Sequence, residues 1–280
     1  MAGRIVAGVD GSPPSMAAVE WAAADARRRS LDLRLVHVCE PWAGDAGTAE
    51  YCAGMLESAA DRVRGLFPGM EVGTEILPGP VVHDLVRGSA EADSLVLGSR
   101  GRGGFAGMVL GSTSLALAGH AACPVVVVRE AATLRHGRIV VGFDGRRSPA
   151  AMEYALKQAR AQDAELLVLY AWRPPILSSY ASAYSTFGES FEEHSRDAAQ
   201  KVVPWRDGNP DVRIVDEQVC DHPVAALRNA SSAADLVVVS SRGLGEFAST
   251  MLGSVSHGVL HHAACPVAVV PPGGDSPASG

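Results

Sequence analysis

The chain has 280 residues, room for two domains at about 150 residues each, and its 47% apolar content excludes an intrinsically disordered chain. Its 24 basic and 31 acidic residues leave a net charge of −7, which argues against a dedicated binder of nucleic acid or of an anionic membrane, since both demand a basic face. No apolar run reaches the roughly 18 residues that span a bilayer, and Met1 to Ser12 lacks the basic start and long apolar stretch of a signal peptide, so a cytoplasmic protein is expected.

Strand and helix signals alternate from the start. Arg4–Asp10 is an apolar, β-branched run that stops at Asp10-Gly-Ser-Pro-Pro. Ser15–Arg29 places Met16, Val19, Ala22 and Ala23 at helical spacing. Leu31–Cys39 reads as a strand, and a loop with Pro41, Gly44 and Gly47 leads into a helix near Thr48–Leu66. Glu71–Leu77 is a predicted strand, Val81–Glu91 a helix and Ser94–Gly98 a fully apolar strand. A glycine-rich loop, Ser99–Leu110, precedes a helix over Gly111–His120 and a last strand over Pro124–Val128.

The same order then returns. Arg4-Ile-Val-Ala-Gly-Val-Asp10-Gly recurs as Arg138-Ile-Val-Val-Gly-Phe-Asp144-Gly, at an offset of 134. The stretch from Ala92 recurs from Ala234, Leu110-Gly-Ser as Leu252-Gly-Ser, and Ala122-Cys-Pro-Val as Ala264-Cys-Pro-Val, all at an offset of 142. The second copy therefore carries a longer middle. A period this long excludes a solenoid and indicates a tandem duplication. The expected units are 1–132 and 138–270, joined near Ala131 to Gly137, with a disordered tail over 271–280.

Short apolar strands between helices imply an α/β fold: two tandem doubly wound, Rossmann-like domains, each a five-stranded parallel sheet with helices on both faces. Ligands in such sheets lie beyond the carboxyl ends of the strands, where strand order reverses.

The five cysteines are odd in number and form no C-x-x-C, so a disulfide scaffold or zinc ribbon is not expected. Lys157 and Lys201 are the only lysines, which removes lysine chemistry from the first half. There is no Walker loop, and Gly101-Arg-Gly-Gly-Phe-Ala106 fits the dinucleotide pattern only formally, because it follows the fourth strand rather than the first. What remains is a loop that recurs almost intact. Gly98, Gly101, Gly103 and Gly104, with Ser99, Arg100 and Arg102, precede a helix that opens with Gly111, Ser112, Thr113 and Ser114. Glycines allow close approach to backbone N–H groups, and helix N-termini attract anions, so the pattern suits a phosphate. The ordinary alternatives are a flexible loop and a serine N-cap.

These residues resemble the universal stress protein family, whose nucleotide motif is G-x-x-G, nine residues, then G-[ST]. Gly98-Ser-Arg-Gly101 followed by Gly111-Ser112 matches it, and Asp10-Gly-Ser, His37-Val38 and Cys123-Pro-Val match further family features. The resemblance spans both halves and implies an ATP site in each, with Mg²⁺ as an optional companion. The apolar last strands, Val125–Val128 and Val267–Val270, resemble the family's dimerising edge, which implies that they pair the two halves with each other. Asp10 would face the adenine or ribose, with Gly8 leaving room for the nucleotide. The backbone of Val38 would meet the adenine edge, Gly98 to Gly104 would wrap the phosphates, and Gly111, Ser112 and Thr113 would complete the cradle. For Asp10 the alternative role is capping the next turn.

In the second half the corresponding residues are Gly142, Asp144, Ala171, Ser240, Ser241, Arg242, Gly243, Leu244, Gly245, Gly253, Ser254, Val255 and Ser256. Ser240 replaces the first glycine and Asp221 stands where the first half has Gly79, so a weaker second site is expected, with Arg146 and Arg147 in partial compensation. The function expected is an ATP-binding regulatory protein of the stress response, with protein partners unidentified and a homodimer left open. The alternatives are a slow ATPase and a dimerisation module with no ligand. His257 and His261 sit one turn apart but lack an evident third metal ligand. Cys123 and Cys265 are expected to be buried, Cys52 is the thiol nearest a long loop, and Trp172–Gly188 is expected to be a lid or partner surface.

Overall fold

The computed structural model of the chain describes residues 3–39, 46–102, 109–131, 134–144, 149–172, 183–241 and 252–272, except the side chains of 46–48 and 183–190. Among these residues, the first half runs β1 (Arg4–Gly8), α1 (Pro13–Arg29), β2 (Asp32–Val38), α2 (Ala46–Leu66), β3 (Val72–Leu77), α3 (Val81–Ser89), β4 (Ser94–Gly98), α4 (Ser112–His120) and β5 (Val125–Val128). The second half repeats the order as β6 (Arg138–Gly142), α5 (Pro149–Gln162), β7 (Glu165–Ala171), α6 (Ala183–Gly208), β8 (Ile214–Val219), α7 (Pro223–Ser231), β9 (Leu236–Ser240), α8 (Ser254–His262) and β10 (Val267–Val270).

Local chemistry explains where helix α1 begins and ends. Ser12 caps it, its hydroxyl accepting the Ser15 N–H at 3.3 Å. Pro13 and Pro14 fill the first turn, where no intrahelical N–H bond is needed. Arg27, Arg28 and Arg29 occupy the last turn, beside the negative end of the dipole, and Ser30 closes the helix in the left-handed conformation at φ 53°.

The strands form one ten-stranded sheet in the order β3-β2-β1-β4-β5-β10-β9-β6-β7-β8. Every pairing within a half is parallel. The halves meet where β5 pairs β10 antiparallel, with Val126 opposite Ala268. All four residues of β5 and all four of β10 are buried. A continuous valine run is soluble at a sheet edge only when another strand covers it, and here each half covers the other. Two apolar layers flank the sheet and run through both halves. One packs residues of α1, α2 and α5 on alternate strand positions such as Ile5 and Ala7. The other packs α3, α4, α7 and α8 on the intervening ones such as Val6.

The linker is pinned to the second half. The Asp235 carboxylate accepts the N–H groups of His136 and Gly137, each at 2.7 Å, and of Arg138 at 3.2 Å.

Helix α6 takes up part of the stretch expected to be a loop, since its backbone is already helical at Ala183. Residues 173–182 and the side chains of Tyr184 and Phe187 lie outside the described residues, as do 273–280 of the expected tail. No helix among the described residues is long and apolar enough to cross a membrane.

Candidate functional site

Strand order reverses between β1 and β4: the chain leaves β1 toward β2 and later returns to β4 on the other side. The crevice at the carboxyl ends of these strands holds a cavity of about 490 Å³. Val36, Val38, Val81, Leu85 and Leu97 supply apolar walls, while Arg100, Arg102, Ser112, Thr113 and Ser114 supply polar ones. The fold thus brings together Gly8, Asp10, Val38, Gly98, Arg100, Gly101, Arg102, Gly111, Ser112 and Thr113, which the sequence spreads over more than a hundred residues. Ser99 is buried behind the loop. Gly103 and Gly104 lie outside the described residues.

Asp10 is a clasp. Its Oδ1 accepts the Ser12 N–H at 2.9 Å, which is the turn-capping role. Its Oδ2 accepts the Arg102 N–H at 3.1 Å and so ties the glycine loop to the end of β1. Each carboxylate oxygen keeps a second lone pair for another donor. Ser15, which the motif reading passed over, completes the clasp. Its hydroxyl accepts the Asp10 N–H at 3.0 Å and donates to the Gly8 carbonyl at 3.4 Å. The signal for it was a hydroxyl five residues after the aspartate, in the first turn of α1.

The glycines are needed first by the protein itself. A Cβ on Gly98 would lie 2.6 Å from the backbone nitrogen of Ser15, because the start of α1 packs directly on the end of β4. A Cβ on Gly8 would meet Leu97 Cδ2 at 2.6 Å, a contact that the leucine side chain can relieve by moving, so the backbone demand is at Gly98.

Helix α4 begins without a serine N-cap. Gly111 occupies that position at φ −75°, and no side chain caps it among the described residues. The alternative of a capping serine does not hold: Ser114 donates to the Gly98 carbonyl at 2.7 Å, binding α4 to the end of β4. Ser112 and Thr113 line the cavity, leaving it bordered by a helix N-terminus with no side-chain cap. Unpaired N–H groups and the positive end of the dipole make such a terminus an anion site.

The second half repeats the backbone of this arrangement. The N–H of Ser99 donates to Val128 and that of Ser241 to Val270, both at 2.7 Å. The N–H of Gly111 donates to Ser99 at 2.7 Å, and that of Gly253 to Ser241 at 2.8 Å. Gly253 likewise precedes α8, which Ser254, Val255 and Ser256 open, without a side-chain cap among the described residues. The side chains differ. Ser240 ends β9 where Gly98 ends β4, and Ser148, which aligns with Ser15, lies outside the described residues. Gly142 ends β6, Ala171 ends β7, and Asp144 follows β6. Arg242, Gly243, Leu244, Gly245, Arg146 and Arg147 lie outside the described residues. Gly79 does not line the first cavity.

One cysteine expectation changes. Cys52 is not a free thiol but is bonded to Cys39. Burial raises the thiol pKa of Cys123 and of Cys265 to about 12, in keeping with their expected inertness. The rings of His257 and His261 lie 4.6 Å apart, without a third metal ligand beside them among the described residues.

The sequence profile of the universal stress protein family matches residues 1–129 and 136–271, one copy on each half. The chain belongs to the universal stress protein family. A universal stress protein of Mycobacterium tuberculosis is 34% identical over 286 residues, covering 95% of this chain and 96% of that one. Another from the same species is 33% identical, covering 95% of each. Among solved structures, a universal stress protein of Archaeoglobus fulgidus superposes with a TM-score of 0.69 at 18% identity, covering 97% of both chains. A functionally unknown Pseudomonas aeruginosa protein superposes equally well at 16% identity, covering 97% of this chain and 93% of that one. At these identities the two structures speak for the tandem fold alone.

Proposed function

We propose that this universal stress protein binds ATP in the first-half cavity and acts as a regulatory protein whose conformation or partners follow nucleotide occupancy. The observation that carries the reading is the α4 N-terminus, without a side-chain cap and facing a cavity that Arg100 and Arg102 also line. Phosphates suit that polar side. An adenine suits the slot between Val38, Val81 and Leu85. Ribose hydroxyls suit the remaining lone pairs of Asp10, which belongs at the sugar because a carboxylate repels phosphate.

Hydrolysis should be slow or absent. The first half has no lysine, and Asp10 is the one carboxylate lining the cavity among the described residues. Mg²⁺ is usually held by one or two carboxylates together with substrate phosphates. Here both Asp10 oxygens already accept backbone N–H groups, so Mg²⁺ would be carried mainly by the phosphates and water. The second half is proposed as a weaker site, because Ser240 ends β9 where the first half has Gly98.

Native mass spectrometry of the purified chain tests the reading. Bound ATP supports it, ADP or AMP indicates turnover, and an empty protein that also fails to take up added ATP contradicts it.

A further inference from the structure

Cys39 immediately follows β2, and Cys52 is buried on α2 at 3% exposure. Their Cα atoms lie 6.3 Å apart and their sulfurs are bonded. His37 shares a face of the extended chain with Cys39, two residues on. A ring nitrogen of His37 and the two sulfurs all fall within 4.8 Å of one another. Among the described residues this is the one such group of three potential metal ligands.

The histidine is already prepared for a metal. Its Nδ1 lies 2.6 Å from the Val9 carbonyl oxygen. A carbonyl only accepts, so Nδ1 carries the proton and Nε2 of the neutral ring keeps its lone pair. Histidine ligands have this arrangement, one nitrogen donating to a carbonyl or carboxylate while the other holds the metal. The second half has Tyr170 and Trp172 at the matching strand positions, so the group belongs to the first half.

We propose that in the reduced protein His37, Cys39 and Cys52 bind one zinc ion, or a similar thiophilic divalent cation, at the rim of the cavity. An external dithiol supplies the two electrons. The Cys39–Cys52 bond breaks, the dithiol leaves as its own disulfide, and its two protons pass to the cysteine sulfurs. Zinc then displaces those protons. A tetrahedral ion with Zn–S bonds of about 2.3 Å holds its sulfurs roughly 3.8 Å apart, so the cysteines need only separate from bonding to contact distance. Three protein ligands leave a fourth position for water or another donor. The proposal does not depend on ATP binding.

The test is a competition titration of the full reduced chain with Zn²⁺ against a chromophoric chelator, with Co²⁺ as a spectroscopic probe. One equivalent should bind, and the Co²⁺ form should show thiolate charge-transfer absorption. Cys39→Ser and Cys52→Ser should each weaken binding by more than the roughly 10–100-fold that loss of an outer-shell partner costs. His37→Gln should weaken it while keeping the thiolate bands, and oxidation of the wild type should abolish it. His257→Gln should change nothing. Cys39→Ser serves as the folded variant if the buried Cys52→Ser fails by circular dichroism. Absence of Zn²⁺ uptake by the reduced wild type, equal uptake by Cys39→Ser, or loss of uptake in His257→Gln would each overturn the proposal.

Discussion

The carboxylate of Asp10 sits against the bare Cα of Gly101: a Cβ there would lie 2.6 Å from Oδ2. The same oxygen accepts the Arg102 N–H, so the contact and the hydrogen bond are one joint between β1 and the glycine loop. Gly101→Ala should break that joint and cost about 1–3 kcal/mol, the range for overpacking. Removing the clashing carboxylate should recover part of the loss. Denaturant unfolding of Gly101→Ala, Asp10→Ala and the double variant measures the coupling. Strict additivity would show that the two residues do not interact.

Gly98 and Ser240 end equivalent strands, yet only Gly98 is a glycine. A methyl on Gly98 would press on main-chain atoms of Pro14 and Ser15, which cannot turn aside as a side chain can. Gly98→Ser should therefore destabilise the chain by about 3 kcal/mol, whereas Ser240→Gly should change stability by less than about 1 kcal/mol. Thermal unfolding of both variants decides it, and equal losses would mean that the two halves pack this corner alike.

The halves also meet through a buried polar pair. Gln158 Nε2 donates to Asp25 Oδ2 at 3.0 Å, and Asp25 further accepts from Arg28 and Arg29, each at 3.3 Å. Asp25 is fully buried and Arg29 nearly so. Asp25→Ala would remove this partner from both side chains, while Arg29 keeps Asp93 at 2.7 Å and Gln158 keeps Tyr154 at 3.2 Å, and should cost about 1–3 kcal/mol. Gln158→Ala should cost less, because the Asp25–Arg29 ion pair survives it. A loss below 1 kcal/mol for Asp25→Ala in urea unfolding would contradict this reading of the interface.

His261 sets a pH limit. Burial, then the neighbouring His257, His262 and Arg129, lower its pKa from the ordinary 6.5. The unfolded chain then binds the proton more tightly than the folded one. Stability from the neutral ring is fully present above pH 6.5 and is lost as pH falls through the lower folded value. The melting temperature should drop across that window, and His261→Gln should flatten the drop. An unchanged slope in the variant would show that the helix end tolerates the charge.

The repeat and the parallel order were legible because each rests on local pattern: apolar β-branched runs and turn residues after them. The β5–β10 pairing was legible only through the resemblance of the valine strands to a family edge. The cavity was legible because its motif residues lie at strand ends. The reasons behind individual residues were less so. Gly98 answers to the backbone of Ser15, more than eighty residues away in the chain, and no spacing rule carries that. Ser15 looked like an ordinary helix start. Cys39 and Cys52 stand 13 residues apart on different elements, so their bond depends on how α2 lies on β2. The start of α6, with Ser, Thr and Gly among its first residues, has the composition of a loop, and composition alone does not reveal the helix.

Gly111 offers the most direct test of the nucleotide site. It has an ordinary φ of −75°, and a Cβ there would meet Ser99 O at 3.4 Å, so the backbone admits a side chain. The branched side chain of a valine would intrude where phosphate should meet the α4 N-terminus. Isothermal titration of ATP into the wild type, Gly111→Val and Gly253→Val, with circular dichroism as the folding control, should show most binding lost in Gly111→Val and a smaller loss in Gly253→Val. A folded Gly111→Val that binds ATP as the wild type does would contradict the assignment of this cavity to a nucleotide.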